Sequence, residues 1–187
     1  CRQAPAHHPY YGRRMLLQDA DVVFESSSLE AFVGERLFIK SDKPIELLTK
    51  RQQLAAGSQL EQKQRIVPFD IHSGQVTYLE RKNQVLAERG GKPWFIVLKS
   101  RRLGITAIEQ AISYRMAAER PFSDVVTLAH KRASTQRIFS MVTTFHERDP
   151  KRSELRNKGS KSAIEFGNGS NFFIGTAAWM AGTSLQP

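Results

Sequence analysis

From residue 95 onward, strand-length apolar runs alternate with stretches of helical spacing, and this alternation limits the fold more than any other feature. Phe95–Leu98 is a continuous apolar run, as expected of a strand buried in a parallel sheet. The stretch 106–119 places Ile108, Ile112 and Met116 four apart, with Ala111 on the same face, and Pro121 ends it. "DVVTLAH", 124–130, reads as a second buried strand, expected beside 95–98. Helix 132–147 sets Ile138, Met141, Val142 and Phe145 on one stripe. Ser162–Phe166 and Asn171–Thr176 flank "GNGS", a hairpin turn signal. Strand, helix, strand, helix and hairpin in this order predict an α/β domain. Its sheet should be parallel, flanked by helices, with right-handed crossovers.

The preceding part is smaller and mainly helical. Residues 1–20 read as a poorly ordered leader, and "SLEAFVGERLFIK", 28–40, as a short helix running into an extended piece. Ser41-Asp42 with Pro44 signals a helix start and Gly57 a stop, which predicts a helix carrying Ile45, Leu47, Leu48 and Leu54. Ser58-x-x-Glu61 reads as a capping box. "RIVPF", 65–69, is a short strand or arm. Ser73 caps a helix over 74–88, with Val76, Leu79 and Leu86 on one side. The division is therefore residues 1–64, a leader and helical segment, and residues 65–187, an α/β domain.

The 187 residues carry 28 Lys and Arg against 18 Asp and Glu, a net charge of +10, which favours an anionic partner such as nucleic acid. One cysteine, Cys1, excludes an internal disulfide framework and a cysteine metal cluster, and fits a cytosolic setting. His7, His8, His72, His130 and His146 are scattered without ligand spacing and read as surface or loop residues. No apolar run approaches the roughly 20 residues of a membrane span, and the polar opening shows no signal-peptide pattern.

The segment between the run ending at Leu98 and the helix opening near Thr106 holds Lys99, Ser100, Arg101, Arg102, Leu103, Gly104 and Ile105. A helix N-terminus offers unpaired N–H groups and partial positive charge, so a loop entering it from a strand can grip an anion. Gly104, without a Cβ, lets the backbone come close to a phosphate. Thr106 can turn its hydroxyl to a magnesium ion, and the basic residues supply charge. The pattern departs from G-x-x-x-x-G-K-[ST], because Lys99 stands at the first glycine and Ile105 at the lysine. The same residues also suit a plain basic turn with Thr106 as an N-cap.

"VLKSRRLGIT" resembles the deviant Walker A loop of the bacteriophage terminase large subunits, the ATPase motors that package viral DNA. In that family the basic residue contacting phosphate opens the loop. The resemblance implies that Lys99 is the motif lysine and, with Arg101, a catalytic residue. It makes Arg102 a further motif arginine and Thr106 the magnesium-binding hydroxyl, with Ser100, Leu103, Gly104 and Ile105 completing the ATP-contacting loop. "RIVPFDIHSGQVTYL" is similar to the family segment before that loop and makes Gln75 the adenine-contacting glutamine. An amide suits adenine because it donates and accepts at once, although an ordinary polar residue also fits a helix start. "VVTLAHKRASTQRIF" and "SAIEFGNGSNFFIGTAAWMAGTSLQ" are similar to the later strand, helix and hairpin. The resemblance spans roughly 65–186 and implies a P-loop NTPase-type sheet. It further implies ATP and Mg2+ as cofactors and double-stranded DNA, a portal and a small terminase subunit as partners. A homo-oligomer in the full protein and the host cytoplasm as location follow from it too.

Two departures bear on that expectation. Ala181-Gly182 stands where relatives carry Arg-Gly, so no role passes from that arginine. The stretch 43–63 is longer than expected and reads as a DNA- or subunit-contacting helix or a surface elaboration. The sequence also lacks an apolar run ending in Asp-Glu and an acidic two-metal nuclease cluster. An N-terminal piece of a longer motor, inactive by itself, is therefore expected. A helicase-like translocase usually keeps Gly-Lys-Thr, and Ile105 speaks against it. A non-catalytic basic module would use the connector 148–161, with Arg148, Lys151, Arg152, Arg156, Lys158 and Lys161.

Overall fold

The structure is a computed structural model, and it describes residues 26–57, 64–89, 94–100, 102–152, 155–157, 162–176 and 178. It is an α/β fold with five α-helices among the described residues. In chain order these elements are α1 (Ser26–Arg36), β1 (Phe38–Ser41), α2 (Lys50–Ala56), β2 (Arg65–Pro68), α3 (Ser73–Arg89), α4 (Ile105–Glu119), β3 (Asp124–Ala129), α5 (Arg132–Arg148), β4 (Leu155–Asn157), β5 (Ala163–Phe166) and β6 (Asn171–Thr176). Two sheets form. β1 and β2 pair antiparallel, and the larger sheet runs β3-β6-β5-β4. Its one parallel pair is β3 with β6, in register from Asp124↔Asn171 to Ala129↔Thr176.

Several expected elements appear close to where the spacing placed them. α3, α4 and α5 match their predicted helices within one or two residues, and β5 and β6 form the expected antiparallel hairpin. Its turn holds Gly169 at φ +84, a left-handed conformation that glycine adopts without strain. The predicted helix around Ile45–Leu54 is divided. A 3-10 turn covers Ile45–Leu47, and α2 then starts from a capping box, with Thr49 and Gln52 satisfying each other's backbone N–H groups. The helix start therefore lies at Thr49 rather than Ser41-Asp42. Gly57 ends α2 as expected. The predicted Ser58–Glu61 capping box lies outside the described residues.

The expected buried strand 95–98 is not found. Residues 94–100 are extended and belong to no sheet, and no backbone hydrogen bond joins them to another described residue. Their exposures alternate: Trp94 98%, Phe95 37%, Ile96 93%, Val97 41% and Leu98 95%. One side of the segment rests near α3, where the Lys82 ammonium lies 5.9 Å from the Phe95 ring, and the other side meets solvent. The parallel neighbour of β3 is β6, which comes later in the chain. β3 itself is half-covered rather than buried, with Val126 and Leu128 outward. A four-residue apolar run states a demand for burial but not which strand will meet it.

One main core joins residues from both sides of position 64. Leu29, Phe32 and Val33 of α1 pack with Leu79 of α3, with Ile108, Ala111 and Tyr114 of α4, with Val142 and Phe145 of α5, and with Ile164, Phe166 and Phe172 of the hairpin. Phe69 and Phe145 stack with ring centroids 6.1 Å apart. Below the aromatic layer, Arg36 makes two bonds to Asp149, 2.9 and 2.7 Å, and one to Glu119, 2.7 Å. Tyr114 donates to Asp149 Oδ2 at 3.0 Å, and the Lys151 N–H donates to Oδ1 at 2.9 Å. This network fastens α1 to the ends of α4 and α5.

The orientation of α4 is set at its C-terminus. The Asn168 side-chain amide donates to the carbonyls of Ala117 and Ala118, and Ser170 Oγ donates to that of Arg120 at 2.6 Å. The hairpin turn thereby satisfies carbonyls that the helix end leaves open. β3 starts beside the same turn, so α4 runs antiparallel to it. The α4 N-terminus therefore lies toward the edge where β3 and β6 end.

Candidate functional site

Gly104 is the N-cap of α4 and has φ +64, and its carbonyl accepts the first helical bond, from Ile108 N at 3.1 Å. Arg102, two residues earlier, has φ +68, while Leu103 between them does not share the left-handed sign. The chain thus enters α4 through two left-handed residues with Leu103 between them, a tight turn at the head of the helix. The helix adds its open N–H groups and the positive end of its dipole.

Two side chains from the start of α3 hold this turn. His72 Nε2–H donates to the Leu103 carbonyl at 3.0 Å, which places the ring proton on Nε2. Gln75 Nε2 donates to the Gly104 carbonyl at 2.9 Å. Gln75 Oε1 accepts from the His72 N–H at 3.2 Å, so the same amide caps its own helix. Gln75 is buried and sits against the place where a Gly104 side chain would be. Both carbonyls of the turn are thus drawn toward α3. Farther along, Glu109 accepts from Tyr78 Oη at 2.6 Å and from Lys82 Nζ at 2.7 and 3.0 Å, which fixes α4 against α3. Burial pushes the Tyr78 phenol well above its ordinary value, and the Glu109 hydrogen bond adds to this.

The predicted site residues fall into three groups. Gln75, Leu103, Gly104, Ile105 and Thr106 come together at the head of α4, joined by the bonds above. Lys99 and Ser100 lie in the exposed segment 94–100, and Arg102 is exposed on the turn itself. Arg101 lies outside the described residues. Thr106 is exposed on the first turn of α4, whereas the Ile105 side chain is buried. A lysine at 105, as the ordinary motif has it, would carry its charge into the core, so this turn needs its positive charge from other positions.

His72 is an exposed loop residue, as its scattered position predicts, and its bond to the turn is not signalled by ligand spacing. Its position three residues before a helix-start glutamine is the signal that could have shown it. His146, also expected at the surface, is buried between Tyr114 and Phe166. Burial lowers its pKa from the usual 6.5, and the nearby Arg152 charge lowers it further. The connector is described only at 148–152 and 155–157, so Lys158 and Lys161 lie outside the described residues. Among the described residues, no group of acidic, His or Cys side chains could hold a metal ion by itself, and no helix is long and apolar enough to cross a membrane. No protein-family model matches this chain, and no curated protein matches it significantly.

Proposed function

We propose that this chain is the ATP-binding part of a DNA-packaging motor of the terminase large-subunit type, with the turn 102–106 as its phosphate site. One observation carries the proposal. Arg102 and Gly104 both stand in the left-handed region at the entry to α4, while His72 and Gln75 hold the Leu103 and Gly104 carbonyls aside. A triphosphate needs clustered N–H donors free of facing carbonyls, and the open N–H groups of the α4 start together with the engaged Leu103 and Gly104 carbonyls support this reading. The location supports it as well, since ligands of open α/β sheets bind beyond the carboxyl ends of parallel strands. ATP is the proposed nucleotide and Mg2+ its counter-ion, with the Thr106 hydroxyl as the protein ligand and Lys99, Arg101 and Arg102 as neutralising charge. Bound Mg2+ would offset phosphate charge. The residues of this chain bind and orient the phosphates, with Lys99 and Arg101 in the catalytic positions of the resembled loop. The wider assignment, a P-loop-type sheet, double-stranded DNA, a portal, a small subunit and a homo-oligomer in the host cytoplasm, rests on the resemblance of 65–186. Gln75 is proposed to position the loop, because it is buried and an adenine contact would require the turn to open around it.

Hydrolysis requires a positioned water and a carboxylate near it, and no apolar run of this sequence ends in Asp-Glu. The test is titration with a fluorescent ATP analogue and Mg2+, combined with phosphate release. Lys99→Ala and Arg101→Ala should each weaken binding by about tenfold, as expected for charge-assisted contacts. Ile105→Ala should lower stability and leave the affinity of the folded protein nearly unchanged. Turnover should not exceed that of Thr106→Ala, with or without double-stranded DNA. Binding that depends on Ile105 alone, or robust turnover that depends on Thr106, would overturn this assignment. DNA binding without any nucleotide binding would favour a non-catalytic basic module.

A further inference from the structure

A cleft of about 330 Å³ opens between β1, α4 and α5. Ile39, Ala107 and Met141 form apolar walls, and Lys40, Gln64 and Arg137 stand around it. Lys40 Nζ donates to Ser140 Oγ at 3.0 Å across the gap, tying β1 to α5. Ala107 belongs to the first turn of α4, three residues after Gly104, so the cleft borders the helical turn that the segment 102–104 enters. The volume is that of a small-ligand site, and apolar walls with a few polar groups are its usual composition. Gln75 is buried against the turn, so recognition of a nucleotide's base is assigned to other residues.

We propose that this cleft seats the purine base of the nucleoside triphosphate whose phosphates occupy the turn 102–106, an inference that rests on the phosphate-site reading above. The chemistry of the lining suits a flat heterocycle. Ile39 and Met141 give it apolar surface, and a thioether packs well against aromatic rings. The Arg137 guanidinium can stack on the base face. The Gln64 amide can donate and accept at the base edge. Ala107 is the small residue that keeps the α4 side of the cleft open.

The experiment is calorimetric titration with two probes, ATP with Mg2+ and inorganic tripolyphosphate with Mg2+. Tripolyphosphate reads the phosphate turn alone, and the excess affinity of ATP reads the base site. The wild-type protein should bind ATP about tenfold or more tightly than tripolyphosphate, in keeping with base stacking energies. Met141→Trp, which fills the cleft from α5, should abolish that excess and leave tripolyphosphate binding unchanged. Arg137→Ala should reduce it, and Ile39→Trp should repeat the Met141→Trp result from the β1 side. In each variant, retained tripolyphosphate binding certifies that the phosphate turn is folded. Equal wild-type affinities for the two probes would overturn the base site alone, as would an ATP excess that survives all three substitutions. Binding of neither probe would overturn the phosphate turn, and the base site with it.

Discussion

Asp149→Ala is expected to destabilise the fold by about 3–5 kcal/mol, because it leaves the largely buried Arg36 guanidinium without its main partner. The Asp149 carboxylate has no exposed surface and accepts from Arg36, Tyr114 and the Lys151 N–H. Burial alone would raise its pKa, but the hydrogen bonds from Arg36 and Lys151 and the Arg36 charge outweigh it and hold the group below its ordinary 3.8. Burial also opposes the charge on Arg36, and Asp149 reverses that effect. A depressed carboxylate pKa stabilises the fold above its unfolded value, and that stability is lost as pH falls through the folded value. His146 acts in a higher window. Its depressed pKa means that the unfolded chain takes up a proton below about 6.5 that the fold resists, so stability declines there too. Urea titrations from pH 8 to pH 3 should show both declines for the wild type and a reduced lower one for Asp149→Ala. The double variant Arg36→Met/Asp149→Leu should recover most of the loss, since removing both charges leaves neither unpaired. A wild-type midpoint for Asp149→Ala would mean that the network contributes little.

The second large effect is expected at Gly104. A Cβ there would lie 2.6 Å from Gln75 Nε2, and the backbone stands at φ +64. Gln75 is the end of a flexible side chain, but it is buried and capped, so it can yield only by giving up its bonds. Gly104→Ala should therefore lower stability by about 1–3 kcal/mol through backbone strain and the lost hydrogen bond. Binding of an ATP analogue should fall by about tenfold or more, because a misaligned turn no longer aims its N–H groups together. Gly104→Asn separates the two causes, since asparagine tolerates left-handed backbone but brings the same Cβ. If Asn binds as glycine does, the strain matters and the contact does not. Unchanged affinity in Gly104→Ala would remove the turn from the nucleotide site.

Both effects depend on features that the sequence exposes unequally. Helices α3, α4 and α5 were legible because their apolar residues recur at helical spacing over three or more turns. The hairpin was legible because its turn residues have few other conformations. Phe95–Leu98 was not, because four apolar residues in a row hide an alternation that appears only when one side finds α3 and the other finds nothing. His146 lies four residues beyond Val142, on the buried stripe of α5, but polarity argued for the surface, and Asp149 is buried just past the end of that helix. Burial there depends on Arg36, which is more than a hundred residues away in sequence. In the turn, Gly104 and Gln75 could each be singled out, but their direct bond could not. Spacing says nothing of how α3 meets the head of α4.

The uneven coverage of residues 94–98 has a consequence for how the protein behaves as a colloid. Trp94, Ile96 and Leu98 form an outward apolar row on an extended backbone, the geometry that recruits a second extended chain. Mutual repulsion between copies at a net charge of +10 opposes that pairing. That repulsion reaches only about 10 Å at 0.1 M salt and about 3 Å at 1 M, whereas apolar attraction is not screened. Solubility should therefore fall as salt is raised, and polyanions that neutralise the charge should act in the same direction at far lower concentrations.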